Sequence, residues 1–253
     1  MRIGCVKYLN ARPLIYGWPG SVVLDHPAVL CQELAEGKLD VALVSSFEFL
    51  RNPIYQIVDD VSISSDGPVY SVIVAQDGEA PLSKIELDPA SLTSVALLQC
   101  LMSMQRRPFC GVEITGDVLS ALKPGSARLL IGDQAIRFRS KFSDAYRYLD
   151  LGQLWNEATN VPFVFALWLV RPDTANPQML GDQLRSLRDH NLEKIDRIAA
   201  DQKEFGPEFC RRYYTRNLRF SFGQREKTGL QEFADACANL ELIPERKLSL
   251  MLV

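Results

Sequence analysis

Residues 2–44 run RIGCVKYLNARPLIYGWPGSVVLDHPAVLCQELAEGKLDVALV, and this stretch sets the fold class. RIGCVKYL is an apolar run of strand length. HPAVLCQELAEG places Leu30 and Leu34 at helical spacing, with Pro27 in the first turn and Gly37 as the stop. DVALV, residues 40–44, is a second buried strand. Strand, helix and strand make a βαβ unit, in which the strands are parallel and the crossover is right-handed.

Working outward, YQIV and VYSVIVA add strands, the latter alternating around Ser71. The pattern restarts at KIELDPASLTSVALLQCLMS: a strand at 85–87, a polar turn, and a helix with Val95, Leu98, Leu101 and Met102 on one face. GVEIT, ARLLIGD and YRYLDL read as further strands, and VPFVFALWLV (161–170) as an unbroken apolar one. After Pro172 the chain is helical and charged, and no strand signal returns. Two α/β sets and a helical tail predict a two-lobed clamshell with mostly parallel sheets. Lobe one is expected to hold residues 1–76 and 174–253, lobe two residues 77–173, with the strands at 69–76 and 163–170 as hinge crossovers and the tail packed on lobe one.

A chain of 253 residues is long enough to bury a large core. Its net charge of -3 and pI near 5.5 give no basic surface, so no nucleic-acid partner is expected. Cys5, Cys31, Cys100, Cys110, Cys210 and Cys237 show no C-x-x-C spacing, and with only His26 and His190 beside them no metal site is expected. No apolar run is long enough to span a bilayer, and the first residues already read as a strand rather than a leader; the expectation is a cytoplasmic protein with no membrane partner.

Ligands of open α/β sheets sit beyond the carboxyl ends of strands, where helix N-termini offer free N–H groups. Asn10 falls at such a junction, and as an N-cap it would satisfy one of those donors. VSSFEF supplies Ser45 and Ser46 at a second junction, DPASLTS supplies Ser91, Thr93 and Ser94 at a third, and GDQA supplies Asp133 at a fourth. Arg12 offers a guanidinium fork to a carboxylate. Each also has a plain structural reading, as a cap or, for Arg12, as the partner of a surface Glu. Nucleophile-elbow, zinc-protease, P-loop and dinucleotide-binding signatures are missing. His26 and His190 read as surface residues, so any chemistry must run through hydroxyls, amides and a carboxylate.

YLNARPL, LDVALVSSFEFLR, SSDGPVYSV, LDPASLTSVALL, LLIGDQA, DLGQLWNEATNVPFVFALW and GLQEFADACANLELI closely resemble, in order and spacing, the chorismate dehydratase family of the futalosine route to menaquinone. The resemblance implies a type II periplasmic-binding-protein fold used in the cytoplasm as an enzyme. Its substrate, chorismate, would lie between the lobes and lose water to give 3-[(1-carboxyvinyl)oxy]benzoate, the precursor of futalosine. No metal or organic cofactor is implied. The chain departs from the family pattern at Leu92, where Arg is usual, and at Asn160 and Val161, where Gly and Leu are usual. For this reaction Asn10 and Ser71 are the expected catalytic residues, with Arg12, Ser45, Ser46, Ser91, Thr93, Ser94 and Asp133 binding substrate. Glu48, Asp133 and the substrate's own enolpyruvyl carboxylate stand as alternatives for the base. A non-catalytic binder of a small carboxylate is the rival reading, and the naphthoate-forming synthase of the same route is a second. That synthase is associated with a Pro-Asn-Asp first turn and a catalytic His, and NARP here has neither.

Overall fold

In the computed structural model, which describes all residues except 80, 81, 83, 88–90, 115 and 246, the opening apolar run becomes β1 (Ile3–Val6), buried along its length. A short 3-10 turn (Leu9–Ala11) leads into α1 (Arg12–Ile15), then β2 (Val22–Asp25), α2 (Pro27–Ala35), β3 (Val41–Ser45), α3 (Ser46–Arg51) and β4 (Gln56–Ser65). The chain crosses into β5 (Val72–Gln76), β6 (Lys84–Leu87), α4 (Leu92–Met104), β7 (Cys110–Glu113), β8 (Ala127–Ile131), α5 (Gly132–Phe142), β9 (Arg147–Asp150) and α6 (Leu151–Thr159). It returns through β10 (Phe163–Val170) to α7 (Pro177–Glu193), α8 (Ile195–Ala200), α9 (Pro207–Arg212), a π-type turn (Tyr213–Asn217) and α10 (Gln224–Asn239). Asp88, Pro89 and Ala90, which open the DPASLTS turn, and Thr115, which ends the GVEIT strand, lie outside the described residues.

Two five-stranded sheets result, ordered β2-β1-β3-β10-β4 and β7-β6-β8-β5-β9. In each, four strands run in one direction and a crossover strand, β10 or β5, pairs antiparallel on both its sides. The sheets are therefore mixed in pairing and mostly parallel in strand direction, and they repeat one topology that no sequence repeat announces. The expected boundaries put each crossover strand on the wrong side. β5 belongs to the second sheet, where Val72 faces Ile131 and Ile73 faces Asp150. β10 belongs to the first, where Leu167 faces Val44 and Ala166 faces Ile63. The chain thus changes sheet between β4 and β5 and again between α6 and β10, before the expected breaks. Both crossovers are apolar runs buried on both faces, and such a run reads alike whichever sheet it joins.

The tail returns to the first lobe, α7 against α1 and β4 and α10 against β10, while α10 also meets α4. It carries strand-like pairing that the sequence pattern does not signal. Ile57 N–H donates to Met251 O at 2.8 Å, Val253 N–H to Ile57 O at 2.9 Å, and Arg219 N–H to Ser64 O at 2.8 Å. The edge of β4 is thereby closed to other chains. Edge strand β2, with Val23 and Leu24 exposed, is likewise beyond the sequence reading. One hydrophobic core joins both sheets. At its centre Phe163 of β10 packs edge-on against Trp155 of α6 and Phe233 of α10, with ring centroids 5.3 and 4.8 Å away.

Candidate functional site

A cavity with about 710 Å³ of atom-free space, its mouth included, lies between the two sheets. Val6, Ile63, Val69, Val72, Ile131 and Phe165 make most of its wall apolar. The polar turns meet there: Tyr8 and Asn10 from the first, Ser45 from the second, Ser91, Thr93 and Ser94 from the third, and the backbone at Gly132 from the fourth. Pro27 and Ala28 add the N-terminus of α2, which the sequence reading did not single out, and Cys31 lies one turn further along. Among the described residues none of the lining side chains is charged.

Asn10 does not cap a helix. It sits inside the 3-10 turn, whose cap position is Tyr8, while Ala11 caps α1. Its Oδ1 is buried without a partner. Ser91 holds the N-cap position of α4 yet makes no side-chain cap bond, and its Oγ is also buried and unpaired. Ser45 and Thr93 hydrogen-bond each other across the cleft, and Phe47 N–H donates to Thr93 Oγ1 at 3.3 Å. Ser71 lies just before β5, fully buried. Its Oγ accepts from the Tyr213 phenol at 2.6 Å and its carbonyl accepts Gly132 N–H at 2.7 Å. Tyr213 has no local sequence signal, because it reaches Ser71 across 142 residues.

The remaining candidates point elsewhere. Ser46 is packed beneath the site and donates to Val164 O at 2.7 Å. Arg12 turns to the tail, where the Gln202 side-chain oxygen, with the amide oriented toward the guanidinium, accepts from Nε and Nη2 at 3.1 Å. Asp133 does not line the cavity; its Oδ1 accepts Leu9 N–H at 2.8 Å and so ties α5 to the turn after β1. Glu48, on α3, is buried, with Arg51 and Asn52 each 2.7 Å from its oxygens. His26 proves to be the N-cap of α2, accepting Ala28 N–H at Nδ1.

With no cation in its wall among the described residues, the cavity can attract an anion only through backbone dipoles. The N-termini of α2, α4 and α5, at Pro27, Leu92 and Gly132, open onto it, and each carries partial positive charge, although Ala28 N–H is engaged by His26 Nδ1 and Gly132 N–H by Ser71 O. Gly132 is required where it stands: its φ is +54°, and a Cβ there would come within 3.0 Å of the Tyr8 ring. Burial raises the Asp133 carboxyl above its ordinary pKa, opposed by the bond from Leu9 N–H. Burial also pushes the Cys31 thiol up to about 12, so it lines the cavity as a neutral group. No cluster of His, Cys, Asp and Glu among the described residues is placed to hold a metal ion, and no described helix is long and apolar enough to cross a membrane.

A family model described as menaquinone biosynthesis matches residues 1–239. A chorismate dehydratase of Thermus thermophilus is 30% identical over 256 residues, spanning 92% of this chain and 94% of that protein. A chorismate dehydratase of Campylobacter jejuni is 25% identical over 237 residues, spanning 93% and 92%. Among solved structures, a protein of Archaeoglobus fulgidus superposes with a TM-score of 0.76 at 17% identity, covering 96% of this chain and 98% of that one. The alkanesulfonate-binding protein of Xanthomonas axonopodis pv. citri, bound to MOPS, does so at 0.65 and 13% identity, covering 98% and 95%. At these identities the structural likeness is one of fold, the type II periplasmic-binding-protein-like clamshell.

Proposed function

The chain belongs to the menaquinone biosynthesis family, and from that premise we propose that it is a chorismate dehydratase, a hydro-lyase that removes water from chorismate to give 3-[(1-carboxyvinyl)oxy]benzoate. The observation that carries this reading is the cavity itself: an apolar slot between the lobes with unpartnered Asn10 and Ser91 oxygens inside it. Its product feeds the futalosine branch of the route, and the enzyme works in the cytoplasm, a compartment in keeping with six free cysteines.

The reaction breaks the C4–O bond and the C3–H bond of one substrate, and the ring becomes aromatic. A hydrogen donor at the departing oxygen and a base at C3 are what the site must supply. Asn10 and Ser71 line the cavity, which supports assigning them to the C4 hydroxyl. Helix N-termini and the hydroxyls of Ser91, Thr93 and Ser94 suit the two carboxylates. Glu48 and Asp133 lie outside the cavity wall, with oxygens engaged by Arg51, Asn52 and Leu9. That supports the third alternative for the base: the substrate's own enolpyruvyl carboxylate takes the C3 proton, and the site contributes by holding it close. The departing hydroxide leaves as water with that proton. Incubating the purified protein with chorismate and following masses tests the reading. A product one water lighter is expected; chorismate bound but unchanged would make the protein a binder.

A further inference from the structure

Tyr213 comes from the tail, in the π-type turn that follows α9, and is 1% exposed. Its ring stacks on Phe209, 5.8 Å between centroids and 15° between planes, which fixes where the phenol oxygen points. That oxygen is 2.6 Å from Ser71 Oγ. A buried phenol left without an acceptor loses a hydrogen bond that water would have given it, so its hydrogen belongs on Ser71. Burial also holds the phenol neutral, well above its ordinary pKa. A serine hydroxyl has one hydrogen and two lone pairs. With Tyr213 donating into one lone pair, the Ser71 hydrogen is left over, and the open space beside Ser71 is the cavity it lines.

We infer that Tyr213 is a positioning residue for the dehydration: by donating to Ser71 it presets that hydroxyl as a hydrogen donor toward the departing C4 oxygen. Ser71 touches substrate; Tyr213 acts through it. Without the phenol, Ser71 is free to turn its hydrogen away, and preorganisation of the donor is lost while the shape of the cavity is kept. The inference rests on the chorismate reading above.

The experiment compares the parent, Tyr213→Phe, Ser71→Ala and the double variant in kcat, KM and melting temperature, with chorismate as substrate. Tyr213→Phe is expected to lower kcat about tenfold with KM within about twofold, and to cost nothing further in the Ser71→Ala background. If Tyr213→Phe turns over at the parent rate, or costs the same factor in both backgrounds, the inference is overturned while the chorismate reading stands. A parent that does not dehydrate chorismate overturns both. Should Phe at 213 unfold the chain, fluorotyrosine at 213 keeps the shape and acidifies the phenol. An ionised phenolate would take the Ser71 hydrogen for itself, so the alkaline fall in kcat is expected to move to lower pH. Asp133, Asp150, Cys210 and Tyr214, the titratable groups near this phenol, are unchanged in that variant, and an alkaline limb that stays in place overturns the inference.

Discussion

Asn10 holds an amide oxygen that is buried and unpaired, an arrangement that costs about 1–3 kcal/mol and that folding alone does not reward. Asn10→Ala is therefore expected to melt at the parent temperature or above it, while turnover of chorismate falls roughly a hundredfold, as loss of one oriented polar group commonly does. Calorimetry and a rate assay on one preparation check both halves. Asp133 differs, because its carboxylate is structural. Burial raises its pKa in the folded protein, so between the ordinary and the raised value the folded form binds more protons than the unfolded one. Stability from this group is full below the ordinary carboxyl range and is lost as pH rises through the raised value. Asp133→Asn keeps an oxygen for Leu9 N–H, so it should melt above the parent at neutral pH and converge with it in acid. A gap that widens in acid would show the carboxylate to be stabilising. Ser45 and Ser46 show why residue types alone could not sort the site: neighbours at the end of a strand face opposite ways, and only one of them reaches the cavity.

Elements carried more of the site than single residues did. Each polar turn that the sequence marks after a strand brings at least one residue to the cavity, because the carboxyl ends of parallel strands converge there. Asn160, standing where the family pattern has Gly, ends α6 in the left-handed conformation with φ of 59°, as the tolerance of Asn for that region implies. The α2 N-terminus went unmarked because PAVLCQELA carries no hydroxyl or amide cluster, and backbone N–H groups leave no trace in residue types. The α5 turn makes a sharp test. Gly132→Ala forces a side chain onto a left-handed backbone against the Tyr8 ring, and is expected to cost about 1–2 kcal/mol and to lower turnover by moving Tyr8. At the α4 turn, replacing Thr93 and Ser94 together with Ala is expected to raise the dissociation constant for chorismate at least about tenfold, roughly 1.4 kcal/mol. Unchanged affinity in calorimetry would reduce that turn to a helix start.

For the whole molecule, the clamshell was legible from the restart of the α/β pattern, whereas the exchange of crossover strands was not, since partner choice among buried apolar strands depends on contacts distant in sequence. That exchange leaves the lobes joined by two links, one from β4 to β5 and one from α6 to β10, and held shut by side chains reaching across. Leu9 N–H donates to Asp133 on α5 at 2.8 Å, and Phe47 N–H donates to Thr93 on α4 at 3.3 Å. Neither bond belongs to a sheet, so each breaks when the lobes part, with the sheets intact. Amide exchange at Leu9 and Phe47 is therefore a gauge of cleft opening. Without ligand both are expected to exchange faster than amides in the middle of β3 and β10, which need larger unfolding to open. A ligand that binds only the closed form lowers the open population by a factor of one plus its concentration over its dissociation constant, about a hundredfold at a hundred times that constant. Chorismate should slow Leu9 and Phe47 by that factor and in parallel, because one motion exposes both. If their rates in the free protein already match those of β3 and β10, or if saturating chorismate leaves them unchanged, the lobes do not part on the way to binding and substrate must enter a cleft that stays shut.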